Sequence, residues 1–102
     1  MTIERIRELI QNNKVRWTTH CVEQMGERDI SKADVIYCIE NGEIIESYPD
    51  DFPYPSCLIY GKCTDGRVIH TVVGSDEEVL YIITSYIPNI IKFEDDLKTR
   101  RQ

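Results

Sequence analysis

Ser31-Lys32-Ala33-Asp34-Val35-Ile36-Tyr37-Cys38-Ile39-Glu40-Asn41-Gly42-Glu43-Ile44-Ile45-Glu46-Ser47-Tyr48 is the stretch in which the chain changes period. Ser31 and Asp34 read as a capping box, with Asp in the usual Glu position, opening a helix whose apolar face is Val35, Ile36, Ile39 and Cys38. Gly42 stands just past the last helical residue, where a left-handed residue closes a helix. From Glu43 onward the Ile and Tyr content and the shorter repeat predict a strand. The junction therefore divides the chain into a helical first part and a strand-rich second part.

Upstream, Ile3, Ile6, Leu9 and Ile10 recur at helical spacing behind Thr2 as N-cap, which predicts a helix over 3–12 ending at Asn12-Asn13. Val15-Arg16-Trp17 is a short extended piece. Thr18 or Thr19 then caps a second helix from about His20 to Arg28. Downstream, Glu43–Tyr48, Ser56–Cys63, Arg67–Gly74 and Val79–Ile87 read as four strands separated by turn residues. Asp65-Gly66 signals a two-residue hairpin, because a type I′ turn needs positive φ at both central positions. Pro49, Pro53 and Pro55 stiffen the first connection, Pro88 ends the last strand, and Ile91 to Arg101 reads as a short terminal helix with a basic end. The expected fold is α+β, a single domain over 1–102: two to three N-terminal helices packed on a four-stranded antiparallel sheet, with a short C-terminal helix.

With 102 residues, 41% of them apolar and nine per cent aromatic, the chain has room for one two-layer core. No apolar run is long enough to span a bilayer, and the charged N-terminus, Met1-Thr2-Ile3-Glu4-Arg5, lacks the apolar stretch of a signal peptide. A soluble, cytoplasmic protein is expected. The net charge of -6 is unevenly placed: residues 1–32 carry six bases against five acids, and residues 33–102 six bases against thirteen acids. A polyanion would have to be met by a local basic patch.

The two-residue hairpin would pair Cys63 with Val68 and Tyr60 with Thr71. A three-residue loop at Ser75–Glu77 would then put Cys57, Ile59, Gly61, Val68, His70 and Val72 on one face with Leu80, Ile82, Thr84 and Tyr86. That face suits helix packing, and Tyr60, Lys62, Arg67, Thr71 and Tyr81 form the more accessible one, open to a partner, a ligand or a second copy. Two candidate sets follow. In His20, Arg28, His70 and Tyr86, imidazoles can donate and accept protons near neutral pH while Arg28 holds a phosphate; the same residues also suit a buried polar network tying the second helix to the sheet. In Tyr60, Lys62 and Arg67, with Tyr81 beside them and Arg16 from the first part, aromatic rings among cations suit bases and phosphates of single-stranded RNA; an ordinary amphipathic face has the same composition. His20, Cys21, Cys57 and Cys63 are of metal-binding type, but no CxxC pair or other ligand spacing calls for a metal, and none is expected. A small metal-dependent hydrolase would rest only on scattered His, Cys and carboxylates.

The run Trp17-Thr18-Thr19-His20, Glu27-Arg28-Asp29-Ile30-Ser31, Asp34-Val35, Gly42-Glu43-Ile44-Ile45-Glu46 and Tyr48-Pro49-Asp50-Asp51-Phe52-Pro53-Tyr54-Pro55-Ser56 resembles the bacterial domain-of-unknown-function family 4258. Leu58-Ile59, Gly61, Gly66-Arg67, His70, Ile83-Thr84, Tyr86 and Pro88 fit it too. The family's plan is similar to the RelE and MqsR toxins, which implies the toxin component of a bacterial toxin–antitoxin pair. Its implied activity is that of a metal-independent endoribonuclease on mRNA, and its implied partner is a zinc-finger antitoxin-like protein. Such ribonucleases activate the ribose 2′-hydroxyl, stabilise phosphorane-like charge and protonate the leaving oxygen. His20, Arg28, Lys62, Arg67, His70 and Tyr86 have side chains suited to those roles. The likeness to the toxins is one of outline, no catalytic position is carried over from them, and the acidic charge departs from their basic character. The alternative expectation is a non-enzymatic module that binds a protein partner or associates with itself as a homodimer.

Overall fold

A computed structural model describes residues 1–102. The helices are α1 (Ile3–Gln11), α2 (Thr19–Glu27) and α3 (Lys32–Asn41); the strands are β1 (Val15–Trp17), β2 (Glu43–Tyr48), β3 (Ser56–Lys62), β4 (Val68–Ser75) and β5 (Leu80–Tyr86). The helices start where the local chemistry dictates. The Thr2, Thr18 and Ser31 side chains accept from the Arg5, Cys21 and Asp34 N–H groups, and Asp34 returns a bond to the Ser31 N–H, completing the expected capping box.

The sheet has five strands in the order β1-β5-β4-β3-β2 and is mixed, not four-stranded and antiparallel. β2 to β5 form the predicted antiparallel meander, and Val15–Trp17 adds a parallel edge strand against Leu80–Ile82 of β5. The short extended piece after α1 is thus a true strand. Its partner lies far along the chain, and no turn signal announces such a pairing.

The β3–β4 hairpin differs from expectation by one residue. Cys63 N–H donates to Arg67 O at 2.7 Å and Gly66 N–H to Cys63 O at 3.0 Å, with Gly66 at φ +92°, so Thr64-Asp65-Gly66 form a three-residue loop with its left-handed residue last. Tyr60 consequently pairs with His70 rather than Thr71. That slip exchanges the faces. Cys57, Ile59, Ile69, Thr71 and Val73 face the helices and are buried, whereas Tyr60 and His70 point to the other side. The β4–β5 loop is also longer than expected, since Ser75 pairs with Leu80 and a bulge follows near Val72/Val73.

α3 lies on β3 and α2 on β5, with Ile6, Leu9, Met25, Val35, Ile39, Ile59, Ile69 and Ile82 filling the core between the layers. All four cysteines are free and buried, and behave as small apolar residues in that core. Burial pushes the Cys38 and Cys57 thiols up to about 11. Gly42 ends α3 without adopting a left-handed conformation, its φ being -100°. Glycine is needed there for closeness instead: a Cβ would press into the carbonyl oxygens of Tyr60 and Cys38.

The segment after β5 is not a helix. Asn89 and Asp96 side chains accept from the backbone N–H groups two and three residues on, folding residues 89–99 into successive turns. An isolated bridge joins Phe93 to Arg100. This C-terminal strap lies against the sheet face that carries Tyr60 and His70, and Phe93 is buried beneath it.

Candidate functional site

On α2, His20, Gln24 and Arg28 are spaced by four residues and share one stripe, with Arg28 at the C-cap. The stripe is tied to β5. Thr84 Oγ1 donates to Gln24 Oε1 at 3.1 Å, and Arg28 donates to Ser85 O at 2.8 Å with Thr84 Oγ1 3.5 Å away. Arg28 thus reaches round the end of the sheet toward Tyr86.

There it lines a groove of about 580 Å³ with Tyr86, Ile87, Asn89, Lys92, Phe93 and Arg100. Three of the seven lining residues are cations and none is a carboxylate, in a chain of net charge -6. Arg100 stacks over the Phe93 ring at 4.8 Å and its guanidinium forks onto Glu46 at 3.0 and 3.2 Å, which lowers the pKa of that carboxyl. Tyr48 donates to the same Glu46, and burial together with this bond pushes its phenol up to about 12. Neither Arg28 nor Lys92 enters an ion pair. Their charges are the uncompensated ones.

Behind Tyr86 lies His70, fully buried. Its Nε2 is 2.6 Å from Leu97 O, a pure acceptor, so Nε2 carries the hydrogen and Nδ1 is left to accept from Tyr86 OH at 3.4 Å. Leu97 offers that carbonyl from a left-handed conformation, φ +59°. Tyr60, Tyr86 and Phe93 enclose the imidazole edge-on, with centroids 6.2, 5.4 and 4.6 Å away. Burial holds the His70 pKa below its ordinary value and raises that of Tyr86, so both side chains are neutral around pH 7. The bond to His70 is long, at 3.4 Å, and rotation of the Tyr86 hydroxyl about its C–O bond turns its one hydrogen from Nδ1 into the groove. His70 has no path to solvent and orients Tyr86.

Of the first predicted set, Arg28, His70 and Tyr86 therefore meet at one place. His20 stands exposed two turns away at the start of α2, about 12 Å along its axis from Arg28. The second set does not form one surface. Lys98 covers the Tyr60 ring at 4.6 Å and pairs with Glu43 at 3.1 Å. Arg67 is bound to Asp65 and to Asp29 O, both at 2.8 Å, Lys62 is exposed at the end of β3, and Arg16 lies on β1 opposite Tyr81. The one-residue hairpin difference separates them. Sequence reasoning missed Gln24, Lys92 and Asn89 and treated Arg100 as part of a basic tail. The four-residue spacing of His20, Gln24 and Arg28 was the available signal for the first of these. No group of three or more His, Cys, Asp or Glu side chains is placed to hold a metal ion.

No curated protein and no solved structure matches the chain. A family profile does, over residues 17–87, from β1 to the residue after β5, taking in Arg28, His70 and Tyr86 and leaving the strap outside. By that match the chain belongs to the family described as Domain of unknown function (DUF4258).

Proposed function

We propose that this chain is the toxin component of a toxin–antitoxin pair and cleaves RNA without a metal ion, holding the phosphodiester in the groove between β5 and the strap. The observation that carries this reading is the set of cations there: Arg28 and Lys92 lack carboxylate partners, and no acidic residue lines the groove. In a half-enclosed site such cations offset the charge that builds on phosphorus oxygens in the transition state. The ribose 2′-oxygen attacks phosphorus and gives its proton to water, His20 being about 12 Å from Arg28 and outside the groove, while the P–O5′ bond breaks and the 5′-oxygen takes the Tyr86 proton. The products are a 2′,3′-cyclic phosphate and a 5′-hydroxyl. His70 fixes the Tyr86 phenol and is a positioning residue.

The test is induced expression in a bacterial host, with growth and total RNA followed together. Growth arrest with RNA fragments bearing 5′-hydroxyl ends is expected, and Arg28→Ala lowers the cleavage rate of the purified protein about a hundredfold. Normal growth with intact RNA overturns the activity. Cleavage that survives Arg28→Ala and Lys92→Ala overturns the site.

A further inference from the structure

A second groove lies at the other end of the strands, independent of the RNA reading. The connection from Pro49 to Pro55 folds over the start of β5, where Tyr54 stacks on Tyr81 with centroids 5.2 Å apart and planes within 5°. Between them is an opening of about 220 Å³ walled by Phe52, Pro53, Tyr54, Tyr81 and Ile83 over Gly74. Phe52 is 95% exposed and Ile83 42%, an apolar pair presented to water. Asp51 stands on the wall, Asp50 precedes it, and Asp76 Oδ2 lies 3.4 Å from the Tyr81 hydroxyl. Arg16 lies opposite Tyr81 on β1, and Lys14 O accepts from Leu80 N–H at the start of β5.

We propose that this groove docks a basic segment of another protein, which inserts one large apolar side chain between Phe52, Tyr54 and Ile83 and sets lysines or arginines against Asp50, Asp51 and Asp76. The volume is below the range of about 300 to 1,000 Å³ for small-molecule sites and fits a single anchoring side chain. The acidic rim chooses among macromolecules. It repels a nucleic-acid backbone, and a two-fold contact with a second copy would set the same carboxylates against each other.

The probe is a short fluorescein-labelled peptide carrying one leucine among lysines, titrated with the full chain and read by fluorescence anisotropy. Saturable binding is expected. Phe52→Ser weakens it by roughly tenfold or more, as does replacing the peptide leucine by glycine. Asp50→Asn with Asp76→Asn weakens it and flattens its dependence on salt. Phe52 is exposed and Asn keeps the acceptor oxygen of Asp76, so circular dichroism should show all variants folded. Absence of binding overturns the proposal, and so does binding indifferent to Phe52 and to the leucine. A concentration-dependent dimer abolished by Phe52→Ser would instead assign the groove to a second copy.

Discussion

His70 lies wholly inside the protein yet titrates near pH 6.5 when the chain is unfolded. Because burial lowers its pKa in the fold, the unfolded state takes up a proton on acidification that the native state refuses. Stability from this residue is complete above about pH 6.5 and declines as the pH falls toward the native pKa. Urea midpoints should therefore drop between about pH 7.5 and pH 5.5, and His70→Gln should remove that part of the slope. Asp34 acts in a lower window. Bonds from Ser31 N–H and from Thr64 hold its carboxyl at about 2, so its contribution is present above its ordinary value of 3.8 and is lost as the pH falls through 2. Asp34→Ala removes the capping-box return and the tie to the β3–β4 loop together. A loss of about 2 kcal/mol in denaturant unfolding at neutral pH is expected.

Two glycines give opposite predictions at the scale of elements. Gly26 sits in α2 with nothing within 4 Å of an added Cβ, so Gly26→Ala should stabilise by up to about 1 kcal/mol through helix propensity. At Gly61 a Cβ would meet Cys38 O and Sγ at 2.7 Å, and Gly61→Ala should cost about 1 to 3 kcal/mol by driving α3 off β3. Thermal unfolding of the pair checks both signs. The caps were legible in the sequence because Thr2, Thr18 and the Ser31–Asp34 box act within three residues of themselves. Three things were not legible. The hairpin register turns on whether Asp65-Gly66 stands alone or takes in Thr64, and one residue of difference moved His70 to the far face. The β1–β5 pairing and the strap are long-range choices, decided by an open sheet edge and by a half-apolar face that the C-terminal turns were there to cover. The candidate site was half visible for the same reason: Arg28 caps a regular helix and Tyr86 ends a strand, whereas Lys92 and Asn89 reach the groove only through the path of the turns.

For the molecule as a whole, charge and coverage go together. Although the chain carries a net charge of -6, the walls of the groove hold Arg28, Lys92 and Arg100 and no carboxylate. Lys98 and Arg100 hold the strap to Glu43 and Glu46 by exposed pairs worth little each, leaving buried Phe93 as its main anchor. Hydrogen exchange should find the amides of residues 89–100 opening well before those of β3 and β4. Phe93→Ala should cost about 3 kcal/mol or more and weaken binding of a short RNA oligonucleotide, as read by denaturation and by anisotropy.

The boundary at residue 87 has a further consequence, in terms of descent and exchange. Asn89, Lys92, Phe93 and Arg100, four of the seven residues that line the groove, lie beyond the stretch that the family profile matches. A member that has an arginine and a tyrosine at the positions of Arg28 and Tyr86 but continues differently after its last strand would face them with other chemistry. The strap is in that sense a detachable jaw, and transplanting residues 88–102 onto another member is the direct test of whether any RNA binding travels with it.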